Sequence, residues 1–181
     1  MKFIDQLKEK AKQNKKTIVL PETSDMRTIE AAGKVLAEGI ANIILVGDKE
    51  DIMSRAGDID LSGASFVDPK NYEKFDEYVD AFVEMRRKKG MTEARAKELL
   101  LTNPLYFGCM MVKQDDADGM VAGAINASAD VLRAALQTLK TAPGTRIVSA
   151  FFLVVVPDCQ YGANGTFVFA DAGLEQNPDP E

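Results

Sequence analysis

Histidine does not occur anywhere in this chain. Without imidazole there is no Ser-His-Asp or Cys-His nucleophilic pair, no histidine-based zinc site and no imidazole proton shuttle near neutral pH. Chemistry therefore falls to Asp, Glu, Arg, Lys, Cys and backbone amides. Cysteine is almost as scarce: Cys109 and Cys159 are the two in 181 residues, too few for a disulfide framework or a cysteine metal site. Positive charge is in the minority, with 22 Lys and Arg against 28 Asp and Glu and a net charge of −6. That balance excludes a general nucleic-acid or membrane-surface binder, since those need broad basic faces. No apolar run approaches the ~18 residues of a bilayer span. The first sixteen residues alternate charge with Phe3, Ile4, Leu7 and Ala11, which reads as an amphipathic helix and not as a signal peptide. The expectation is a cytoplasmic protein with neither nucleic-acid nor membrane partners.

What the chain does carry is an alternation of short apolar runs with amphipathic stretches. Thr17-Ile18-Val19-Leu20 is a β-branched run closed by Pro21. Ser24 or Asp25 then opens a helix through Glu38, with Ile29, Ala32, Val35 and Leu36 inward, and Gly39 ends it. Residues 43–46 form the next strand. A strand, helix and strand within about thirty residues is a βαβ unit, whose strands pair in parallel. A helix over 49–55 and a strand over 64–67 repeat the pattern. Helices follow over 72–89, 92–101 and 105–113, the last placing Cys109, Met110 and Met111 in the core. Residues 146–156 make a long apolar strand, 157–165 a turn and 166–170 a returning strand. The fold class expected is α/β: a parallel-sheet, three-layer domain over 1–145, then the beginning of a second α/β domain over 146–181. A strand as apolar as 149–156 needs cover on both faces. Too little sequence follows to supply it, so the second domain is expected to be truncated or completed by another chain.

The richest stretch runs from Asp118 to Arg133. Apolar and small residues after Asp118-Gly119 read as a short strand, Gly123 breaks it, and Ser128 is placed to cap a helix. Its expected inward stripe is Ala129, Leu132, Leu136 and Leu139. A strand leading through a small-residue loop into a helix N-terminus gathers backbone N–H groups and the positive end of a dipole at a sheet edge. Such an arrangement binds phosphate or carboxylate. Arg133 would add a fixed charge beside that anion.

Several marks taken together resemble one family. They are Leu20-Pro21-Glu22-Thr23 with Asp25 and Arg27, and Asp118-Gly119 through Gly123-Ala124 to Ala129-Asp130-Val131-Leu132-Arg133 and Gln137. Ser149-Ala150-Phe151-Phe152 with Pro157-Asp158-Cys159, and Phe169-Ala170-Asp171 with Asn177-Pro178, complete the set. The chain resembles the N-terminal half of the phosphate acetyltransferases (phosphotransacetylases), within the phosphate acetyl/butyryltransferase family, over essentially all 181 residues. The resemblance implies an isocitrate and isopropylmalate dehydrogenase-like fold of two α/β domains, and a homodimer. It implies reversible transfer of acetyl between acetyl phosphate and the thiol of coenzyme A, with no metal and no cofactor beyond coenzyme A as substrate. An aspartate base and arginines that hold phosphates do the chemistry. Phosphate butyryltransferase shares the same scaffold.

Carried over residue by residue, Arg133 matches an arginine implicated in CoA and phosphate binding. Arg86 aligns with a second, Arg87 being one residue away. Ser128 falls in the hydroxyl-rich segment lining the cleft, and Cys159 on a cysteine near the site that is not the required nucleophile. No residue of this chain is assigned as catalytic. The resemblance places the base aspartate and a further phosphate-binding arginine in a C-terminal half not included here, so these residues alone are expected to be inactive. The family pattern usually has Arg-Pro where this chain has Arg133-Ala134, and often His where it has Asn126, which weakens any role for that position.

The same residues have plainer readings. Arg133 on pattern alone is a solvated helix arginine, and Arg86-Arg87-Lys88-Lys89 a charged helix end. Ser128 can cap and touch phosphate at once. Asp118 and Asp171, at strand ends, suit turn hydrogen bonds. A non-catalytic anion-binding or interaction module is the other class the sequence permits. A nicotinamide dehydrogenase is disfavoured, because no G-x-G-x-x-G follows a strand.

Overall fold

A computed structural model describes residues 3–171, 173 and 174; Asn177-Pro178 of the family marks lies outside them. The chain divides into two units, Lys8–Lys140 and a smaller one made of Met1–Leu7 with Thr141–Glu181.

The larger unit is built on four parallel strands: β1 (Lys16–Leu20), β2 (Ala41–Val46), β3 (Ala64–Val67) and β4 (Gly119–Met120). Their order is β3-β2-β1-β4. The chain thus winds outward from β1 through β2 to β3, then returns to add β4 on the other side of β1. Ile18 pairs with Gly119 and Val19 with Met120, so β1 and β4 end side by side at the point where the winding reverses. In open parallel sheets that crevice at the carboxyl ends is where ligands bind.

Helices cover both faces. On one side α2 (Met26–Glu38) and α3 (Lys49–Ala56) bury Ile29, Ala32, Ile52 and Ala56 against Ile43 and Leu45. Asp25 caps α2 by accepting from the Arg27 N–H, and Gly39 ends it in the left-handed conformation. On the other side α4 (Phe75–Arg86), a 3-10 turn at Arg87–Lys89, α5 (Glu93–Thr102), α6 (Pro104–Lys113) and α7 (Ser128–Thr138) form the larger core with Val19, Ile44 and Val46. Tyr78, Phe82, Phe107 and Met110 are fully buried there. Helix α1 (Phe3–Gln13) precedes β1 and buries no residue completely. At α3, Asp48 accepts from the Asp51 N–H at 2.8 Å. Asp48→Ala should therefore lower stability by about 1 kcal/mol in urea unfolding; an unchanged midpoint would mean that packing alone holds the first turn.

Three local expectations are corrected. The strand after Asp118 is only Gly119–Met120: Val121 donates its N–H to the Val19 carbonyl, and the chain then leaves the sheet. Ser128 does not cap α7. Ala127 occupies the cap with extended backbone, its carbonyl accepting from Asp130 and Val131, and Ser128 is the first helical residue. The inner face of α7 is also not the leucine stripe. Ala134 and Thr138 are buried, Val131 and Ala135 pack beside them, and Leu136 is exposed. Two apolar stripes run along this helix, and the one with smaller residues faces the core because it lets α7 approach α6 closely.

The smaller unit contains an antiparallel hairpin, β5 (Phe151–Val155) with β6 (Thr166–Ala170), Phe151 opposite Ala170 and Val155 opposite Thr166. Its strands leave Phe151, Phe152, Val168 and Phe169 exposed. The turn between them uses positive φ at Asp158, Asn164 and two glycines. Gly165 is required there: a Cβ on it would lie 2.2 Å from the Val156 carbonyl oxygen.

Candidate functional site

The carboxyl ends of β1 and β4 are joined by one side chain. Glu22, two residues beyond β1 and only 2% exposed, turns its carboxylate into the 123–126 loop. Oε2 accepts from the N–H groups of Gly123 and Ala124, both at 2.6 Å. Oε1 accepts from Ile125 N at 3.2 Å, Asn126 N at 2.8 Å and the Asn126 side-chain amide at 2.8 Å. Burial pushes this carboxyl up, but the hydrogen bonds from Asn126, Ala124 and Ile125 outweigh it and bring it down to about 2. Glu22 is therefore ionised at neutral pH.

The loop binds a carboxylate, as its sequence suggests, and that carboxylate is the protein's own. Four of the backbone amides in this stretch, expected to meet an external anion, are occupied by Glu22. Arg27 secures the same loop by its carbonyl side, donating to the Ala124 carbonyl at 2.5 Å, while Asp25 fixes its guanidinium: Nε donates to Asp25 Oδ1 at 3.0 Å and Nη2 to Oδ2 at 2.7 Å. Asn126, where histidine is usual in the family pattern, supplies two of the five donors, its backbone N–H and its side-chain amide.

Helix α7 leads from this loop to a second, basic region. Ser128 stands exposed at its first position, and Asp130, Arg133 and Gln137 share one face by their spacing of three and four. Arg133 is 58% exposed along its side chain and pairs with Asp130 at 2.5 Å. Gln137 accepts from the Tyr106 hydroxyl at 3.1 Å. Burial raises the Tyr106 phenol, while the charges of Arg133 and Arg86 act in the opposite sense, so both arginines lie within electrostatic reach of one hydroxyl. Arg86 also lines a cavity of about 350 Å³ with Lys89, Met91, Arg95, Glu98, Leu99, Thr102 and Gln137. Three cations there face one carboxylate. The Arg86 Nε is buried and has no hydrogen-bond partner among the described residues, a cost that a structural arginine would avoid. Arg87 faces solvent in the 3-10 turn, 3.5 Å from Glu84. The geometry therefore distinguishes the two neighbours: Arg86 borders the cavity.

Cys159 belongs to the smaller unit, half-buried in the turn after β5. Cys109 lies in the core of α6, where burial pushes its thiol up. Asp118 accepts from Thr17 N at 2.8 Å and Lys16 Nζ at 2.9 Å, and Asp171 from Ala150 N at 3.3 Å, as strand-end aspartates do. Among the described residues no cluster of three or more His, Cys, Asp or Glu is arranged to hold a metal, and no helix is long and apolar enough to cross a membrane.

Sequence reasoning named every member of the Glu22 clamp but not the contact. The signal was the pairing of β1 with β4, which brings residues 101 or more positions apart to one sheet edge.

Comparison with known proteins agrees with this architecture. The family model described as phosphate acetyl/butaryl transferase matches residues 2–181. The phosphate acetyltransferase of Acetivibrio thermocellus is 54% identical over 181 residues, spanning 100% of this chain and 54% of that protein. That of Escherichia coli is 38% identical over 98% of this chain and 24% of its own. The solved EutD phosphotransacetylase from Staphylococcus aureus superposes with a TM-score of 0.83 at 33% identity, covering 97% of this chain and 52% of that one. The chain thus spans about half the length of several of its relatives. With a parallel α/β sheet that superposes on a phosphotransacetylase and a family match along nearly its whole length, the chain belongs to the phosphate acetyl/butyryl transferase family.

Proposed function

We propose that this chain supplies the CoA-holding side of a phosphate acetyltransferase, which transfers acetyl reversibly between acetyl phosphate and coenzyme A. The observation that carries the reading is the basic cavity beside α7, where Arg86 has a buried, unpartnered Nε and shares the surroundings of Tyr106 with Arg133. Both substrates are phosphate esters or anhydrides, and arginine suits them because its planar fork donates two hydrogen bonds to one phosphate. Lys89 and Arg95 add charge along the same wall. Ser128, at the start of α7, offers a hydroxyl and the first N–H groups of a helix to an anion. Cys159 is assigned to the cleft lining, by resemblance alone.

In the reaction, the CoA sulfur forms a C–S bond at the acetyl carbonyl carbon. The C–O bond to phosphate breaks, phosphate leaves with the electron pair, and the thiol proton passes to a base. These residues contribute by holding two polyanions in register, which lowers the entropic part of the barrier. No metal or additional cofactor enters this reading, and its setting is a cytoplasmic homodimer. The family resemblance supports the dimer, as does the exposed apolar surface of the β5–β6 hairpin.

Calorimetric titration of CoA into this chain tests the proposal. Wild-type protein should bind, and Arg133→Ala should weaken binding about tenfold. The effect is held to that size because Arg133 is largely exposed and Asp130 competes for it. Absence of binding by the wild-type chain would overturn the reading. Formation of acetyl-CoA from acetyl phosphate, followed in parallel, would show that these residues also contain the base.

A further inference from the structure

We propose that Glu22 is a positioning residue for the substrate-facing helix: its carboxylate closes the 123–126 turn and so fixes where α7, with Ser128 and Arg133, begins. Its consequence for CoA binding rests on the function proposed above; the clamp itself rests on geometry. Among the described residues, none of the N–H groups of Gly123, Ala124, Ile125 or Asn126 donates to a backbone carbonyl. All four donate to the Glu22 carboxylate. Apolar packing does not substitute, since Ile125 is exposed and the loop is otherwise glycine, alanine and asparagine.

The anchor itself is rigid. Glu22 follows buried Pro21 and precedes Thr23, whose hydroxyl donates to the Val46 carbonyl at 2.6 Å, tying this turn to the end of β2. The position of the sheet is thereby transmitted to the first turn of α7 through one carboxylate. Arg27 restrains the loop's Ala124 carbonyl in the same direction. A carboxylate is needed because two acceptor oxygens meet five donors. A glutamine would present one oxygen and turn its own N–H groups toward the loop amides.

Amide hydrogen exchange by NMR on the 181-residue chain reads the clamp directly. In Glu22→Gln, exchange at 123–126 should accelerate about 10- to 100-fold, the range expected when charge-assisted bonds are lost. The sheet amides of β1 and β2, which exchange through global unfolding, should accelerate only as far as the variant's loss of stability in urea accounts for. In Glu22→Ala, which leaves an amide nest without its anion, sodium formate should restore protection at those positions and sodium chloride of equal ionic strength should not. CoA affinity should fall in Glu22→Gln and fall no further when Arg133→Ala is added. Unchanged exchange at 123–126 in a folded Glu22→Gln overturns the proposal. So does a folded Glu22→Ala in which sodium formate restores no protection at 123–126, which marks a merely structural role. Where Glu22→Ala does not fold, Glu22→Gln decides the matter. If wild-type protein binds no CoA, the proposed function fails while the exchange result still decides the clamp.

Discussion

Glu22→Gln should destabilise the chain by about 3 kcal/mol at pH 7 and by progressively less as the solution is acidified. The folded carboxyl is held at about 2 against an ordinary value of 4.5, and a depression of that size is worth about 3 kcal/mol. Because the folded value is the lower one, the stabilisation is fully present above pH 4.5. It is lost as the pH falls from there toward 2, where the protonated glutamic acid resembles the glutamine. Urea unfolding of both proteins between pH 7 and pH 2.5 measures this difference. Other carboxylates also weaken the fold in acid: Asp25, held low by the Arg27 side chain and N–H, and Asp118, held low by the Thr17 N–H and Lys16. They are common to both proteins and cancel in the difference. A gap that stays constant across the range would mean that shape, and not charge, makes the residue matter. The charge is the physical core of the clamp, since five donors around a neutral oxygen would leave part of their hydrogen-bonding capacity unmet.

The same pair of motifs shows what sequence reveals and what it withholds. The βαβ start, the strand over 64–67 and the helix ends at Asp25, Gly39 and Thr92 follow from propensity and capping, which are local, and the structure has them. Leu20-Pro21-Glu22-Thr23 and Gly123-Ala124 are visible as separate marks. That they form one device is not visible, because it depends on β4 lying beside β1, a pairing of only two residues on the short strand. The α7 stripe fails for a related reason. Periodicity identifies a face of a helix but not which neighbour it meets, and the close approach to α6 selects alanines and threonine over leucines. Arg86 against Arg87 is likewise undecidable from spacing, since one residue rotates the side chain by about 100° around the helix. The structure separates them through the cavity wall.

Arg86→Met should weaken CoA binding about 100-fold while leaving the chain more stable by about 1 kcal/mol. The two effects have one cause. The Arg86 Nε is buried without a partner among the described residues, and an unsatisfied buried donor costs about 1–3 kcal/mol. Methionine has similar length, fills the same channel past Met91 and Leu99, and carries no donor to leave unmet. Part of the gain is offset by lost solvation of the guanidinium tip, which leaves about 1 kcal/mol. Binding suffers more than for Arg133→Ala because this arginine is more buried, and a charge-assisted bond to phosphate gains strength where water is thinned. Calorimetry with CoA and urea unfolding on the same preparations measure both effects. A loss of stability would show that Arg86 has a packing role that outweighs its unmet donor. Unchanged CoA affinity would remove Arg86 from the site and leave the cavity's charge to Lys89 and Arg95. Opposite signs for binding and stability are the expected mark of a residue kept for its ligand, because a side chain that served only the fold would not leave a donor unmet in its interior.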